Sequence, residues 1–483
     1  MSKMNAIEKS RYIDRNYKRY LRSSFHFGNE RMRSMFDEQL EKETLYKGPY
    51  VGLTLPFKRG KSINQLIDEG KVCSSFRQLD NVPFDRPLYL HQEQAIRLIN
   101  DRRSIVVTTG TGSGKTESFL FPIINNILRD IETGKDAGGV RAIFLYPMNA
   151  LVNDQIDRLR GHLQECPSIT FGSYTGDTPE KNAEDIREQN KIEHEAGKVD
   201  YLIPDNELLT REEIRNNPPH LLFTNYSMLE FLLLRPKDAD ILSSESLRNW
   251  DYVVLDEAHS YAGAKGIELS MLMRRVTGLT ENKPRFILTS ATLGEEGKSE
   301  GAIVDFARKL TSATFDETDI IFSRRIPLSA EQLQYSVDGE DYIELAKAVT
   351  DEQGTHTICQ KYLTLGAASP KEQLYELLIR DKNTYKLYDA LKEGSLSFDE
   401  ILKLFKGSLD EKQLSALIDV INRAEKNGIN LFDLKYHSFV RPLMGAFVTL
   451  GDNSQLSLTK TNAIDDKKAF ELGNCKYCYS SFY

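Results

Sequence analysis

Apolar and polar positions change their period twice along this chain. From about Arg86 to Ile326, short β-branched runs alternate with longer amphipathic stretches. SIVVTT is followed by TESFLFPIINNILRDI, RAIFLYP by ALVNDQIDRLRGHL, and LLFTN, DYVVLDEAH and RFILTSA come later. This βαβ rhythm predicts an α/β domain over 86–327, a parallel sheet with helices on both faces. Between Asp177 and Pro219 a polar segment carries no strand signal and reads as a solvated surface helix or mobile insertion. Residues 1–85 are mixed and read as an accessory segment packed on the next domain. Basic residues and aromatics interleave from Arg11 to Arg33, which suits a nucleic-acid patch or a solvated helix face with buried aromatics.

Beyond Pro327 the strand rhythm is lost and helix starts take its place. Ser369-Pro370-Lys371-Glu372, Ser397 with Glu400, and Ser408 with Glu411 each set a capping hydroxyl three residues before a carboxylate. They predict a mainly helical domain over 328–438, whose tandem short helices fit a winged-helix DNA reader or packing helices alike. From Phe439 alternation returns in FVRPLMGAFVTL and QLSLTK, predicting short strands over 439–483.

The composition, 28% charged and 40% hydrophobic over 483 residues, is that of a folded globular chain. No apolar run approaches the ~18 residues of a membrane span, and the N-terminus is charged where a signal peptide needs an apolar stretch. The expectation is a cytoplasmic protein without a membrane partner. A net charge of −8 means that any nucleic-acid site must be a local patch. Five cysteines, an odd number, argue against a disulfide framework. Cys475 and Cys478 have the spacing of half a zinc site, and a tetrahedral site needs four ligands, so zinc is left open among a filled site, a remnant pair and a half-site completed downstream.

Chemistry concentrates at three places. Thr108-Thr109-Gly110-Thr111-Gly112-Ser113-Gly114-Lys115-Thr116 follows an apolar strand and opens a helical run. Its glycines let backbone N–H groups close around phosphate, Lys115 can reach the β/γ oxygens, and the Thr116 hydroxyl can ligate Mg²⁺. The common pattern has Gly six residues before the lysine, where this chain has Thr109. The strand Tyr252–Leu255 ends in Asp256 and Glu257, ahead of Ala258 and His259. Asp256 suits the Mg²⁺ shell, and Glu257 suits orienting and deprotonating the attacking water. A third strand ends in Thr289-Ser290-Ala291-Thr292, whose hydroxyls can hydrogen-bond across to His259.

In this order the three elements resemble motifs I, II and III of superfamily-2 helicases of the DEAD/DEAH type. The resemblance implies a RecA-like lobe that binds ATP and Mg²⁺. It marks Gln92 as the adenine-reading glutamine. It also marks Tyr146-Pro147-Met148-Asn149-Ala150-Leu151, Tyr174-Thr175-Gly176-Asp177-Thr178 and Thr224-Asn225-Tyr226-Ser227-Met228-Leu229 as counterparts of motifs Ia, Ic and Ib, which grip a nucleic-acid backbone. Pro147, Asn149, Thr175, Gly176, Thr224 and Asn225 are the contacts it implies. More narrowly, TTGTGSGKTESFLFPI, YPMNALVNDQ, LDEAHSYAGAKG and HSFVRPLMGAFV look like large bacterial DEAH helicases of the MrfA-like group and the helicases of anti-phage Druantia systems.

Such motors close the ATP site with arginines of a second lobe, in a Q-x-x-G-R-x-x-R run that this sequence does not contain. The expectation is therefore a first motor lobe of an ATP-dependent DNA helicase or translocase, in defence or repair. The second lobe would be supplied in cis by a longer protein or in trans, and this chain alone would be weakly active. A nucleotide-dependent regulatory module without motor activity, and an RNA helicase, are the alternatives. DNA is preferred over RNA through the narrower resemblance alone.

Overall fold

The computed structural model describes residues 6–43, 45–110, 112–136, 138–238, 241, 250–294, 296–348, 352–364, 368–451, 453–475, 477 and 480–482. The chain divides into two compact units, one of Phe57–Arg325 and one of Met1–Pro56 with Ile326–Tyr483.

Unit Phe57–Arg325 is built on an eight-stranded sheet. In chain order the strands are β2 (Ile105–Thr108), β3 (Ala142–Tyr146), β4 (Phe171–Tyr174), β5 (Glu207–Leu208), β6 (Leu221–Asn225), β7 (Tyr252–Leu255), β8 (Arg285–Ser290) and β9 (Ile320–Phe322), numbered after β1 (Tyr46–Thr54) of the other unit. Their order across the sheet is β5-β4-β6-β3-β7-β8-β2-β9, and every pairing is parallel. Alternate residues face opposite sides. Ile105, Val107, Phe144, Phe223 and Val254 enter one core with helices α3 (Ile63–Asp68), α4 (Leu90–Asn100), α5 (Lys115–Glu132) and α6 (Asn149–Leu163). Val106, Ile143, Leu145, Val253 and Leu288 enter a second core with α8 (Arg211–Asn216), α9 (Tyr226–Leu234) and the helices Gly263–Leu279 and Glu300–Thr311. Both faces are covered, which is why the strands read as continuous apolar runs. This is the α/β, RecA-like architecture expected from the sequence.

Three details differ from the sequence reading. The polar segment after Asp177 holds α7 (Ala183–Glu195) but also β5, a two-residue strand parallel to β4. Asn190 fixes this segment by accepting from Ile203 N–H at 2.9 Å. The boundary expected at 85/86 does not follow the packing, because Ile63, Leu66, Val72, Phe76 and Leu79 lie in the same core as β2 and β3. The strands β4 and β9 also went unread; β9 is only three residues long.

The other unit joins helices α1 (Ala6–Ser24) and α2 (Glu30–Lys42) to the later residues. Strand β1 pairs antiparallel with β13 (Asp433–Val440) and with β10 (Leu396–Ser397). Around it lie helices Gly339–Lys347, Glu352–Gln360, Pro370–Leu378, Lys382–Leu391, Phe398–Leu404 and Glu411–Ile421. Between Glu411–Ile421 and β13 come the two-residue strands β11 (Glu425–Lys426) and β12 (Ile429–Asn430). A four-stranded antiparallel sheet of β14 (Phe447–Thr449), β15 (Leu456–Ser457), β16 (Ala463–Ile464) and β17 (Lys467–Glu471) follows. Capping boxes form at Ser369 and Ser397. The third falls at Asp410 rather than Ser408: Asp410 accepts from Lys412 N–H and Gln413 N–H at 2.8 Å, while the Ser408 hydroxyl donates back to Phe405 O. Helix Glu411–Ile421 buries Leu414 through Ile418, Val420 and Ile421, leaving Lys412 and Asp419 exposed. It packs against Gly339–Lys347.

No described helix is long and apolar enough to cross a membrane. Among the described residues there is no cluster of three or more His, Cys, Asp or Glu placed to hold a metal. Cys475 is described and free; Cys478 lies outside the described residues.

Candidate nucleotide site and nucleic-acid grip

Strand order divides the carboxyl edge of the sheet into two neighbourhoods. The ends of β7, β8 and β2 are adjacent, and so are those of β4, β6 and β3. Residues just past parallel strand ends lie where open α/β sheets bind ligands.

In the first neighbourhood, the loop after β2 leads into α5 through Gly112 and Gly114, at φ +72° and +68°. A Cβ on Gly114 would lie 2.4 Å from Gln92 Nε2, so this glycine answers to both backbone and space. Two side chains at the start of α4 hold the loop: His91 Nε2 is 2.8 Å from the Ser113 carbonyl oxygen, and Gln92 Nε2 donates to the Gly114 carbonyl at 3.0 Å. Burial disfavours the charged ring and lowers the His91 pKa to about 4, so His91 is a neutral donor near neutrality. Thr109, the departure from the common pattern, has its hydroxyl 2.7 Å from that of Ser113 and donates its N–H to Ser290 O at 3.0 Å. A glycine there would lose the hydroxyl link across the loop. Thr111 lies outside the described residues. Gly110 borders Arg325, whose guanidinium lies 3.4 Å from the centroid of the Phe57 ring. Phe57 in turn meets Tyr89 and His91. The sequence reading missed His91, Phe57 and Arg325, since only the chain's return from β9 brings Arg325 to this loop.

Lys115 Nζ lies 2.8 Å from Glu257 Oε1, joining the phosphate loop to the end of β7. Glu257 sits at φ +48°, uncommon for a residue with a side chain and a mark of local strain where the carboxylate is aimed. The Asp256 carboxylate accepts the Thr289 hydroxyl, and burial raises its pKa. His259 Nδ1 is 3.1 Å from the Ser290 hydroxyl and 3.2 Å from Glu257 Oε2. The latter approach is too poorly aligned for a hydrogen bond, leaving Glu257 Oε2 without one. Thr292 donates its N–H to the Ser290 hydroxyl at 3.1 Å. Thr116 is half-buried in the first turn of α5.

These oxygens fit a hard divalent cation, which prefers carboxylate and hydroxyl donors. Glu117, whose Oε2 lies against Gly114, and Glu257, whose Oε1 meets Lys115, each leave Oε2 buried with no hydrogen-bond partner. The Thr116 hydroxyl and the Asp256 carboxylate are the groups that would hold Mg²⁺.

The second neighbourhood is a chain of amides and a carboxylate. Asn225, at the end of β6, donates to Asn149 Oδ1 at 2.8 Å, and Asn149 donates to Asp177 Oδ2 at 2.8 Å. Asn225 also caps α9 by accepting from Met228 N–H. Pro147 is half-buried just past β3, and Gly176 is exposed just past β4. Thr175 and Thr224 are buried: Thr224 donates to Tyr174 O at 2.6 Å, and Thr175 Oγ accepts from Asp177 N–H. Their hydroxyls point inward, so any contact these positions make with a strand falls to backbone.

A phosphate loop, a paired Asp-Glu on a neighbouring strand and a wholly parallel sheet define a P-loop nucleoside-triphosphate-binding lobe. Residues 89–299 match the DEAD/DEAH box helicase family, so the chain carries a DEAD/DEAH box helicase domain. It is 33% identical over 391 residues to the Druantia protein DruE of Escherichia coli (strain UMEA 4076-1), covering 62% of this chain and 21% of that protein. It is 29% identical to the uncharacterized ATP-dependent helicase MJ1574 of Methanocaldococcus jannaschii, covering 53% of this chain and 31% of that one. The chain thus spans between a fifth and a third of the length of these curated relatives. Among solved structures, the DUF1998 helicase MrfA bound to DNA and AMPPNP is 19% identical, with a TM-score of 0.39 over 73% of this chain and 44% of that chain.

Proposed function

We propose that this chain is the first, ATP-binding lobe of an ATP-dependent DNA helicase or translocase. The observation that carries the reading is the approach of Lys115 to Glu257 at 2.8 Å, with His259 and Ser290 alongside. The reading takes Lys115 as the phosphate-binding ammonium, Glu257 as the general base and Ser290 as the coupling hydroxyl, and their proximity supports it. Lys115 holds the β/γ oxygens, Glu257 takes the proton of the attacking water, and Thr116 and Asp256 hold the metal. Bound Mg²⁺ supplies neutralisation of the charge that develops on the transferred phosphoryl group. Ser290 connects His259 to β8, and Thr109 connects the phosphate loop to the same strand end.

The preference for DNA leans on the narrower motif resemblance alone, and an anti-phage role leans on that resemblance and on the word Druantia in the relative's name. Asn149, Asn225 and the backbone at Gly176 are the groups offered to a strand. Among the described residues the chain has one parallel sheet, and those after Ile326 form helices and antiparallel strands. This chain on its own therefore supplies one lobe of the motor.

Titration of a fluorescent ATP analogue into the parent chain and Lys115→Ala tests the site. Removing the ammonium leaves triphosphate charge without its nearest protein cation, and affinity should fall at least tenfold. Equal affinity would refute the assignment of the loop.

A further inference from the structure

We propose that helix α1 is a second nucleic-acid site, a platform on which the bases of a single strand stack. It deepens the nucleic-acid reading above and rests on it. The helix is docked by one side, since Ile7 and Leu21 are buried. At about 100° per residue, Tyr12, Arg15, Arg19 and Tyr20 fall within an arc of roughly 140° on the opposite side. Tyr12 is 54% and Tyr20 62% exposed, and both arginines are exposed.

The cations of the helix are divided in the same way. Lys18 and Arg22, nearer the docked side, pair with Glu41, and Arg22 also with Asp37. Arg15 and Arg19 have no ion-pair partner among the described residues. The backbone positions of the two tyrosines are about 12 Å apart along the axis, with the two unpaired arginines between them in sequence and to one side. Tyr20 stacks on Tyr17, ring centroids 6.5 Å apart, and still keeps 62% of its surface exposed.

That arrangement suits a polyanion whose rings are free to stack. Bases stack on aromatic side chains without regard to sequence, while arginines follow the phosphates. In a duplex the ring faces are already covered, so the tyrosines select a single strand. A membrane-binding face would need a broader apolar side to sink into lipid; here Ile13 is the exposed aliphatic residue beside the stripe. With a net charge of −8 on the whole chain, the attraction has to be local to this helix.

Fluorescence anisotropy of a labelled oligothymidylate with the whole chain tests the inference. Tyr12→Ala with Tyr20→Ala should weaken binding about tenfold or more, and Tyr12→Phe with Tyr20→Phe should restore it, because the ring and not the hydroxyl stacks. Arg15→Glu with Arg19→Glu should weaken binding and flatten its salt dependence. An abasic sugar-phosphate oligomer should not distinguish the parent from the alanine pair. Asn149→Ala, measured in parallel, separates this site from the sheet edge. Loss with Asn149→Ala but unchanged affinity in the tyrosine-to-alanine pair overturns the α1 platform and leaves the lobe reading standing. Loss with the α1 variants alone supports the platform and overturns the grip assigned to Asn149. Unchanged affinity in all variants overturns both, whether α1 then proves to bind protein or lipid.

Discussion

Lys115 and Glu257 are ion-pair partners, and under the roles proposed for them this fixes the sign of one substitution. Glu257 Oε1 draws on the ammonium that a triphosphate also needs. Glu257→Gln keeps the shape, removes that competing charge and removes the base. Nucleotide affinity should therefore hold or rise, while hydrolysis in the complete motor falls by about 10²–10⁴. Binding and turnover measured on the same variant check both halves, and a loss of affinity would contradict the competition. The acids at the end of β7 were legible because chemistry restricts them to few residue types at adjacent positions. Gln92 was legible only through resemblance, and the structure places its amide on Gly114 O. His91 beside it was not legible, because a histidine that holds a carbonyl leaves no spacing signal in a sequence. Thr175 and Thr224 show the converse: a hydroxyl at the right motif position says nothing about which way it points, and here both turn inward.

Among the elements, what could be read followed from periodicity, and what could not was short or set by tertiary contact. β2, β3, β6, β7 and β8 announced themselves because both their faces are buried. β5 escaped, since a two-residue strand inside a polar segment carries no period. Segment 57–85 packs on the domain that follows it, as read, but its apolar residues are too sparse to show that it belongs to that core while residues before 57 do not. The helix Glu411–Ile421 gives a direct test of local reading. Sequence spacing favoured Ser408 as its cap, yet a carboxylate two residues later satisfies two N–H groups at once. Asp410→Ala should destabilise the chain by about 1 kcal/mol, and Ser408→Ala by a few tenths at most. Denaturant midpoints of the two variants decide it, and the reverse order would restore Ser408 as the cap.

For the whole molecule the question is how much of a motor one lobe can perform. Lys115, Thr116, Asp256 and Glu257 belong to one unit, so on the proposed reading nucleotide binding and activation of water draw on that unit alone. Charge on the γ-phosphoryl group in the transition state is another matter. An arginine finger contributes on the order of 10³–10⁵ in rate where it has been measured. Arg325 is the cation beside Gly110 in this unit, and its guanidinium stacks on Phe57 while burial lowers its pKa, so it is engaged elsewhere. Stepping along a strand also needs a second body that closes and reopens against the first. The 483-residue chain should bind ATP and show negligible stimulated hydrolysis and no unwinding. ATPase assays with and without single-stranded DNA, together with unwinding of a tailed duplex, measure this. Robust DNA-stimulated turnover that disappears in Lys115→Ala would mean that residues after Ile326, or a second copy of the chain, deliver the arginine. A concentration series would then tell these apart, because turnover per chain rises with concentration only when the arginine arrives from another copy.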